Sequence, residues 1–206
     1  MILDTTSKDT DWRDIYKLGG TFIQPRPIAL VSSVSTDGVR NLAPFSFYNM
    51  VSANPPVVFF APSYKRDKSG KDSLHNAEAV GQFVIATVTE GIAEQMNQCA
   101  FEYAPGEDEF AASGLTPVEA KLVKPALVAE SPVNMECELI EIRRFGEEPG
   151  AGCVVYGRVL MIHVDDAVLA DDGLVDPAKL KAIGRMGRGT YCKTTDRFDM
   201  SRPKRP

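Results

Sequence analysis

The stretch PRPIALVSSVSTDGVRNLAPFSFYN, from Pro25 to Asn49, decides the fold. Residues 28–35 are apolar or small on both faces, which is typical of a barrel strand packed on both sides. Asp37-Gly38 then predicts a hairpin turn. The returning strand ends in a run of hydroxyl, amide and aromatic side chains up to Asn49. That combination suits a flat polar heterocycle with a phosphate tail, so the stretch also predicts a binding site.

The rest of the chain continues a mainly β pattern with short helices inserted between the strands. Further strands are predicted over 55–62, 82–89, 133–139, 152–164 and 189–194. We expect a bulge at Leu139-Ile140 and a bend or bulge at Gly157. About six or seven strands then form a closed or nearly closed antiparallel β-barrel of Greek-key type. One domain is expected over 1–195, followed by a basic C-terminal tail over 196–206.

Helix boundaries are predicted from capping residues and glycines. The first helix should carry an apolar face formed by Trp12, Ile15, Tyr16 and Leu18. The predicted N-caps of later helices are Asp72 or Ser73, Thr89, and Asp176 before Pro177. The predicted helix ends are Gly19-Gly20, Gly81, Gly114 and Gly184.

Composition and charge exclude several classes of protein. The formal net charge of -5 argues against a nucleic-acid-binding protein. No run approaches the ~20 apolar residues of a membrane span, and the N-terminus lacks the features of a signal peptide. The four cysteines are widely separated without a CxxC, which favours a reduced, cytoplasmic protein with Cys99, Cys137 and Cys153 in the core. No spacing of ligands indicates a metal site.

No side-chain catalytic machinery stands out. GxSxG and GxGxxG motifs are absent, and both His75 and His163 are interpreted as structural. An enzyme of this kind relies on an organic cofactor for its chemistry. Lys71-Asp72-Ser73 combines a cation, a hydroxyl and a helix start, which together favour a phosphate group.

Five segments resemble, in order and spacing, the flavin reductase-like family. They are PRPIALVSSVSTDGVRNLAPFSFYN, KDSLHN, EDEFAASGLT, SPVNMECEL and AIGRMGRGTY, spread over Pro25 to Tyr191. The resemblance implies an FMN-binding split β-barrel that forms a homodimer, with the flavin near the subunit interface.

The resemblance also implies roles for individual residues. The flavin would be lined by Asn41, Ala43, Pro44, Ser46, Phe47, Tyr48 and Asn49. The phosphate would be held by Lys71, Asp72 and Ser73, and Arg185 and Tyr191 would lie near the cofactor. Arg26 would direct a cation toward the flavin or an incoming dinucleotide, and a surface salt bridge is the equal alternative for it.

The predicted function is an oxidoreductase in which FMN accepts hydride from NADH or NADPH. Electrons would then pass to an acceptor that the residues do not identify, such as a partner oxygenase. One alternative is a flavoredoxin-like electron carrier without its own nicotinamide site. Another is a related split-barrel oxidase that acts on a pyridoxine-like or other small substrate.

Overall fold

The computed structural model describes residues 1–104 and 106–203 and is mostly β. The strands are β1 (Ala29–Val34), β2 (Arg40–Phe45), β3 (Tyr48–Ala53), β4 (Pro56–Phe60), β5 (Gln82–Thr87), β6 (Pro117–Val118), β7 (Leu127–Val128), β8 (Val133–Arg144), β9 (Cys153–Val164), β10 (Ile183–Arg185) and β11 (Tyr191–Lys193). The α-helices are α1 (Trp12–Phe22), α2 (Asp72–Val80), α3 (Ala93–Gln98), α4 (Glu109–Ser113) and α5 (Pro177–Leu180). Short 3₁₀ helices cover Glu90–Ile92 and Asp166–Val168.

Seven strands form one antiparallel sheet in the order β2-β1-β5-β8-β9-β4-β3. Strands β6 and β7, and strands β10 and β11, form two small sheets. The mainly β fold is confirmed, but of the expected closed or nearly closed barrel the closed form is not found, since no hydrogen-bonded ladder joins edge strands β2 and β3 in the described residues. Pro44, in edge strand β2, has no amide hydrogen to donate. The Phe47 carbonyl accepts a hydrogen bond from Ala61 N at 2.8 Å, which continues the β3–β4 ladder beyond the Tyr48–Phe60 pair.

The run of polar and aromatic side chains that ends at Asn49 therefore contains the junction of two strands. β2 stops at Phe45 and β3 starts at Tyr48, so only Ser46 and Phe47 lie between the two edges of the sheet. This connection runs along the open side of the sheet, where backbone N–H and C=O groups are not hydrogen-bonded to a further strand of the described chain.

Two clusters of buried side chains lie on opposite faces of the sheet. One contains Leu30, Leu42 and Phe110, and the other contains Val31, Phe60 and Phe83. The alternation of Leu30 and Val31 along β1 sends neighbouring side chains to different clusters, as the pleat of a strand requires. The prediction of core cysteines is confirmed for Cys99, Cys137 and Cys153, which are all buried.

The long β8–β9 hairpin contains the predicted bulge. Leu139 pairs with Gly157 and Glu141 with Tyr156, so Ile140 is the extra residue. Gly157 pairs with Leu139 beside this bulge and with Val58 on β4, so the irregularity predicted at Gly157 is found directly opposite it, with the extra residue on β8. A Cβ at Gly157 would lie 2.2 Å from Cζ of Phe83, so glycine is required by the close approach of a buried ring.

His163 contacts a buried carboxylate on the neighbouring strand β8, and the structural role read from the sequence stays a prediction. Its Nε2 lies 2.6 Å from Oε1 of the fully buried Glu136. The carboxylate also accepts hydrogen bonds from the amides of Lys121, Leu122 and Val123. Burial raises the pKa of Glu136, but the hydrogen bonds from the Lys121 amide and His163 outweigh it, and the pKa lies below its ordinary value.

Several helix ends follow the predicted signals. Asp176 accepts a hydrogen bond from Ala178 N at 2.7 Å, and Pro177 is the first residue of α5. Gly81 and Gly114 end α2 and α4 in the left-handed conformation.

Other boundaries differ from the prediction. Helix α1 continues through Gly19-Gly20 to Phe22, because Pro25 and the residue before it are the first that cannot adopt helical geometry easily. Helix α5 ends at Leu180 with Lys181 as its C-cap, at a φ of 50°, and Gly184 lies in β10 instead. Thr89 begins the 3₁₀ helix without a side-chain hydrogen bond to the described residues.

Within the described residues, no helix combines the length and apolarity needed to cross a membrane. Likewise, no group of three or more His, Cys, Asp or Glu side chains in that part of the chain is arranged to hold a metal ion.

Candidate functional site

A groove runs along the outer side of the Pro44–Phe47 connection. Three adjoining cavities form it, and Pro44 lines all three. The central cavity has a volume of about 540 Å³ and is lined by Ser46, Phe47 and Lys71, among others. Lys71 also lines the cavity at one end, and Arg185 lines the cavity at the other. We call these the Lys71 end and the Arg185 end.

Helix α1 forms part of the outer wall of the groove. The Tyr16 and Phe47 rings meet edge to face, with centroids 6.1 Å apart. Trp12 lies so close to Gly150, in the β8–β9 loop, that a Cβ there would be 2.5 Å from the indole ring. The predicted apolar face of α1 is thus turned toward the groove and solvent, and none of the described helix residues is buried.

The Lys71 end is built around the first turn of α2. The N-cap is Lys71, and the expected cap by Asp72 or Ser73 is wrong, because no side chain of the described residues caps this helix. The Asp72 and Ser73 amides consequently have no acceptor in the described chain. Open amides at a helix N-terminus attract anions, and Lys65 and Lys71 add positive charge to the same cavity.

Acidic groups partly offset that charge. Lys71 Nζ lies 3.3 Å from Oε1 of Glu102, and both side chains are substantially exposed. Asp72 also lines the cavity, so an anion bound there would meet its backbone amide more favourably than its carboxylate.

A buried polar cluster forms the floor of the Lys71 end. Asn41, Ser73 and Glu109 are each less than a tenth exposed and line this cavity. The Asn41 amide lies 2.9 Å from Ser73 Oγ and 3.1 Å from Ser33 Oγ. Glu109 Oε2 accepts a hydrogen bond from Leu42 N at 3.1 Å.

Glu109 is a site residue that the sequence reasoning missed. Asp108 caps α4 by accepting from Phe110 N, and an ion pair of 2.9 Å joins Asp108 to Arg40 on β2. These contacts bring Glu109 against β2, far from α4 in the chain. The signal in the sequence is an acidic residue just after a helix N-cap, which by itself indicates only a favourable helix dipole interaction.

Arg26 is buried and bound to protein oxygens. Its guanidinium donates to the carbonyls of Gly20, Ile23 and Met186 and to Ser46 Oγ, at 2.7–3.3 Å. The alternative of a surface salt bridge is therefore wrong for the described chain, where carbonyl and hydroxyl oxygens are its acceptors. Arg26 ties the end of α1 to the groove through Ser46.

The Arg185 end combines a cation with an aromatic ring. The Arg185 guanidinium lies 4.5 Å from the Tyr191 ring centroid, and the backbones of Arg26 and Arg185 pair through hydrogen bonds of 3.0 and 2.8 Å. A neighbouring cavity of about 430 Å³ lies beside Phe47, between α1 and the β10–β11 turn. Four cationic side chains line it, and they are Lys17, Arg26, Arg185 and Arg188.

The groove brings together most of the predicted site residues. They are Asn41, Ala43, Pro44, Ser46, Phe47, Lys71, Asp72, Ser73, Arg185 and Tyr191. Tyr48 and Asn49 do not line the groove as the structure describes it. Tyr48 packs on the core, where burial raises its pKa to about 12, and Asn49 is exposed with its Oδ1 accepting from Met50 N.

Comparison with known proteins identifies relatives along almost the whole chain. An uncharacterized protein of Aquifex aeolicus is 37% identical over 186 residues, which cover 90% of this chain and 93% of the relative. The crystal structure of nitrilotriacetate monooxygenase component B from Bacillus cereus is similar with a TM-score of 0.90 and 32% identity, covering 97% of this chain and 99% of that chain. The 2-nitrobenzoate 2-nitroreductase NbaA of Pseudomonas fluorescens has a TM-score of 0.85 and 28% identity, covering 98% and 96%.

The family model described as the flavin reductase like domain matches residues 23–182. The matched range begins just before β1 and ends just before β10, so it contains the whole seven-stranded sheet and the Lys71 end of the groove. With this match and the identity to the Bacillus cereus structure, the chain belongs to the flavin reductase-like family.

Proposed function

We propose that this protein is an FMN-dependent oxidoreductase on a Greek-key split-barrel scaffold, with one catalytic domain over 1–195 and a tail over 196–206. FMN would accept hydride from NADH or NADPH and pass electrons onward. The observation that carries this proposal is the Lys71 end of the groove, where two helix amides without acceptors in the described chain adjoin Lys65 and Lys71. Such an arrangement favours a phosphate group over a neutral ligand.

The dimensions of the groove support FMN as the ligand. The one phosphate of FMN matches the Lys71 end, and the central cavity of about 540 Å³ is of the size that holds a cofactor ring. Phe47 and Pro44 would pack on the ring, and Ser46 would hydrogen-bond its polar edge. Tyr48 and Asn49 would contribute only through their backbones, since their side chains point elsewhere.

The chain's own residues would orient the cofactor and favour its reduced form. When bound, FMN supplies the hydride-accepting centre. Arg185 is held beside the groove by the Arg188 carbonyl and the Tyr191 ring, and Arg26 holds Ser46 in place through its Nε at 3.3 Å. A positive charge near the flavin stabilises the negative charge that reduction creates.

A nicotinamide dinucleotide suits the second cavity. Its phosphates are anionic, and Lys17, Arg185 and Arg188 line that cavity beside Phe47. The cavity shares Tyr16, Lys17 and Phe47 with the groove, so a molecule there would adjoin the cofactor. This supports NADH or NADPH as the donor without choosing between them.

The electron acceptor is proposed to be a partner oxygenase in the cytoplasm, as the component name of the Bacillus cereus relative suggests for that protein. A homodimer is also part of the proposal. Exposed apolar side chains on β3 and β9 support it, and they are Met50, Val51, Leu160 and Ile162. All four cysteines are unpaired, in keeping with a reducing compartment.

Anaerobic stopped-flow spectroscopy tests the proposal. The FMN-loaded protein is mixed with NADH, NADPH or dithionite, and the flavin absorbance is followed. We expect at least one nicotinamide to bleach the flavin. Bleaching by dithionite alone would favour the electron-carrier alternative, and a protein that binds no FMN would refute the proposal altogether.

A further inference from the structure

The buried carboxyl of Glu109 lies within reach of the predicted phosphate-binding hydroxyl, with Asn41 between them. One amide atom of Asn41 is 3.2 Å from Glu109 Oε1. The other is 2.9 Å from Ser73 Oγ and 3.1 Å from Ser33 Oγ. Because Asn41, Ser73 and Glu109 are each less than a tenth exposed, their polar side-chain atoms depend on these contacts for hydrogen bonds.

The protonation state of Glu109 decides which way the Asn41 amide must face. An ionised carboxylate only accepts, so the Asn41 NH₂ group must turn to Glu109 Oε1. The Asn41 oxygen then faces the serines and accepts their hydroxyl hydrogens, and it also lies 3.3 Å from Leu42 N, whose bond to Glu109 Oε2 is shorter at 3.1 Å. In this arrangement the Ser73 O–H group is already used.

A protonated Glu109 reverses the arrangement. Its O–H group donates to the Asn41 oxygen, and the Asn41 NH₂ group turns to Ser73 Oγ and Ser33 Oγ. Leu42 N keeps its bond to Glu109 Oε2 in either state. The Ser73 oxygen now accepts, and its hydrogen becomes available to a ligand at the Lys71 end.

We propose that Glu109, acting through the Asn41 amide, controls whether Ser73 can donate a hydrogen bond to the phosphate of the bound cofactor. Glu109 is a positioning residue in this scheme, since it acts through Asn41. The inference rests on the proposed function, because it takes the anion at the Lys71 end to be the phosphate of FMN. Because protonated Glu109 frees the Ser73 hydrogen, the protein should bind the phosphate more tightly at lower pH.

The charged groups around Glu109 favour the protonated state more than water does. Burial raises the pKa of Glu109 above its ordinary value and outweighs the hydrogen bonds from backbone amides, including that of Leu42, which lower it; the carboxylates of Asp72 on α2 and Asp108 on α4 add smaller upward contributions. Arg40 on β2 offsets Asp108 by pairing with it. The other titratable groups of the cavity are Lys65, Lys71, Cys99, Glu102 and Tyr103.

The test compares wild type with Glu109→Gln between pH 5 and pH 8, using FMN and riboflavin as ligands and fluorescence quenching as the readout. The Gln side chain donates to Asn41 at every pH, as protonated Glu109 does. We expect Glu109→Gln to bind FMN about tenfold more tightly than wild type at pH 8, the size of one charge-assisted hydrogen bond. The two proteins should converge as the pH falls, and riboflavin affinity should change little.

Removal of a negative charge also favours phosphate, and Ser73→Ala separates the two effects. If the relay operates, the gain from Glu109→Gln disappears in the Ser73→Ala background. A gain that persists there is a simple charge effect and overturns the relay. Parallel pH profiles of wild type and Glu109→Gln with FMN bound overturn it as well, while the proposed function stands. Absence of FMN binding by folded wild type refutes both.

A second measurement uses the wild-type protein without ligand, so it does not depend on whether a variant folds. The side-chain amide of Asn41, followed by ¹H–¹⁵N NMR, should shift with pH as Glu109 titrates. An Asn41 amide signal that stays constant between pH 4 and pH 8 overturns the relay.

Discussion

Replacement of Lys71 by alanine should weaken FMN binding while leaving riboflavin binding nearly unchanged. Lys71 is the N-cap residue of α2, and its side chain lines both the central cavity and the Lys71 end. FMN differs from riboflavin only by the phosphate, so a cation that acts on the phosphate distinguishes the two ligands.

The magnitude follows from the exposure of Lys71. A hydrogen bond between charged groups contributes about 1.5–3 kcal/mol. The Lys71 side chain is 36% exposed and already interacts with Glu102, so we reduce this to about 1–2 kcal/mol. The loss in FMN affinity should be about five- to thirtyfold. The exposed ion pair with Glu102 contributes at most about 1 kcal/mol, so the protein should remain folded.

Isothermal titration calorimetry with both ligands measures the effect. Lys68→Ala is a matched control, because Lys68 also forms an exposed ion pair, with Glu148 at 2.9 Å, but is not among the residues that line the groove. Equal losses of FMN and riboflavin affinity in Lys71→Ala would place the phosphate elsewhere. An equal FMN loss in Lys68→Ala would reduce the effect to general surface charge.

Three further predictions concern the frame around the groove. Gly157→Ala should lower the free energy of unfolding in urea by at least about 1–3 kcal/mol, because the Phe83 ring must move. Adding Phe83→Leu to the same chain should recover part of this loss. No recovery would contradict the packing argument. Arg26→Met should cost about 2–3 kcal/mol of unfolding free energy, since three carbonyls lose a charged donor, and an unchanged midpoint would refute that role. The pKa of Glu136 is lowered in the folded protein, so this carboxylate stabilises the fold fully above about pH 4.3 and loses that effect as the pH falls through the folded pKa. Glu136→Gln should remove this part of the acid dependence of stability. Thermal midpoints measured from pH 3 to pH 7 test this.

Local signals in the sequence predicted the elements that depend on neighbouring residues. Asp176-Pro177 starts α5 and Gly81 ends α2, because caps and left-handed glycines act within one turn. The extra residue Ile140 was visible as a slip in the alternation of β8. These features need no knowledge of what packs against them.

Features that depend on distant residues were not accessible in the same way. Gly157 faces Phe83, and no local pattern distinguishes that contact from a bend. Glu109 reaches β2 only because α4 folds back onto it, and Arg26 meets Met186 from the far end of the chain. The groove residues were found mainly through the family resemblance, because its ordered motifs link segments that are distant in the sequence but lie together in the fold.

Local opening of helix α1 affects how fast a ligand can enter and leave the groove. None of its described residues is buried, and its contacts to the rest of the chain include those of Trp12, Tyr16 and Thr21 and a hydrogen bond from the Arg26 guanidinium. Local opening of α1 therefore requires far less free energy than global unfolding. In hydrogen-exchange mass spectrometry, α1 amides should exchange well before those of the interior strand β5, and a ligand in the groove should slow α1 selectively. The residence time of a cofactor would then be linked to how often this one helix opens.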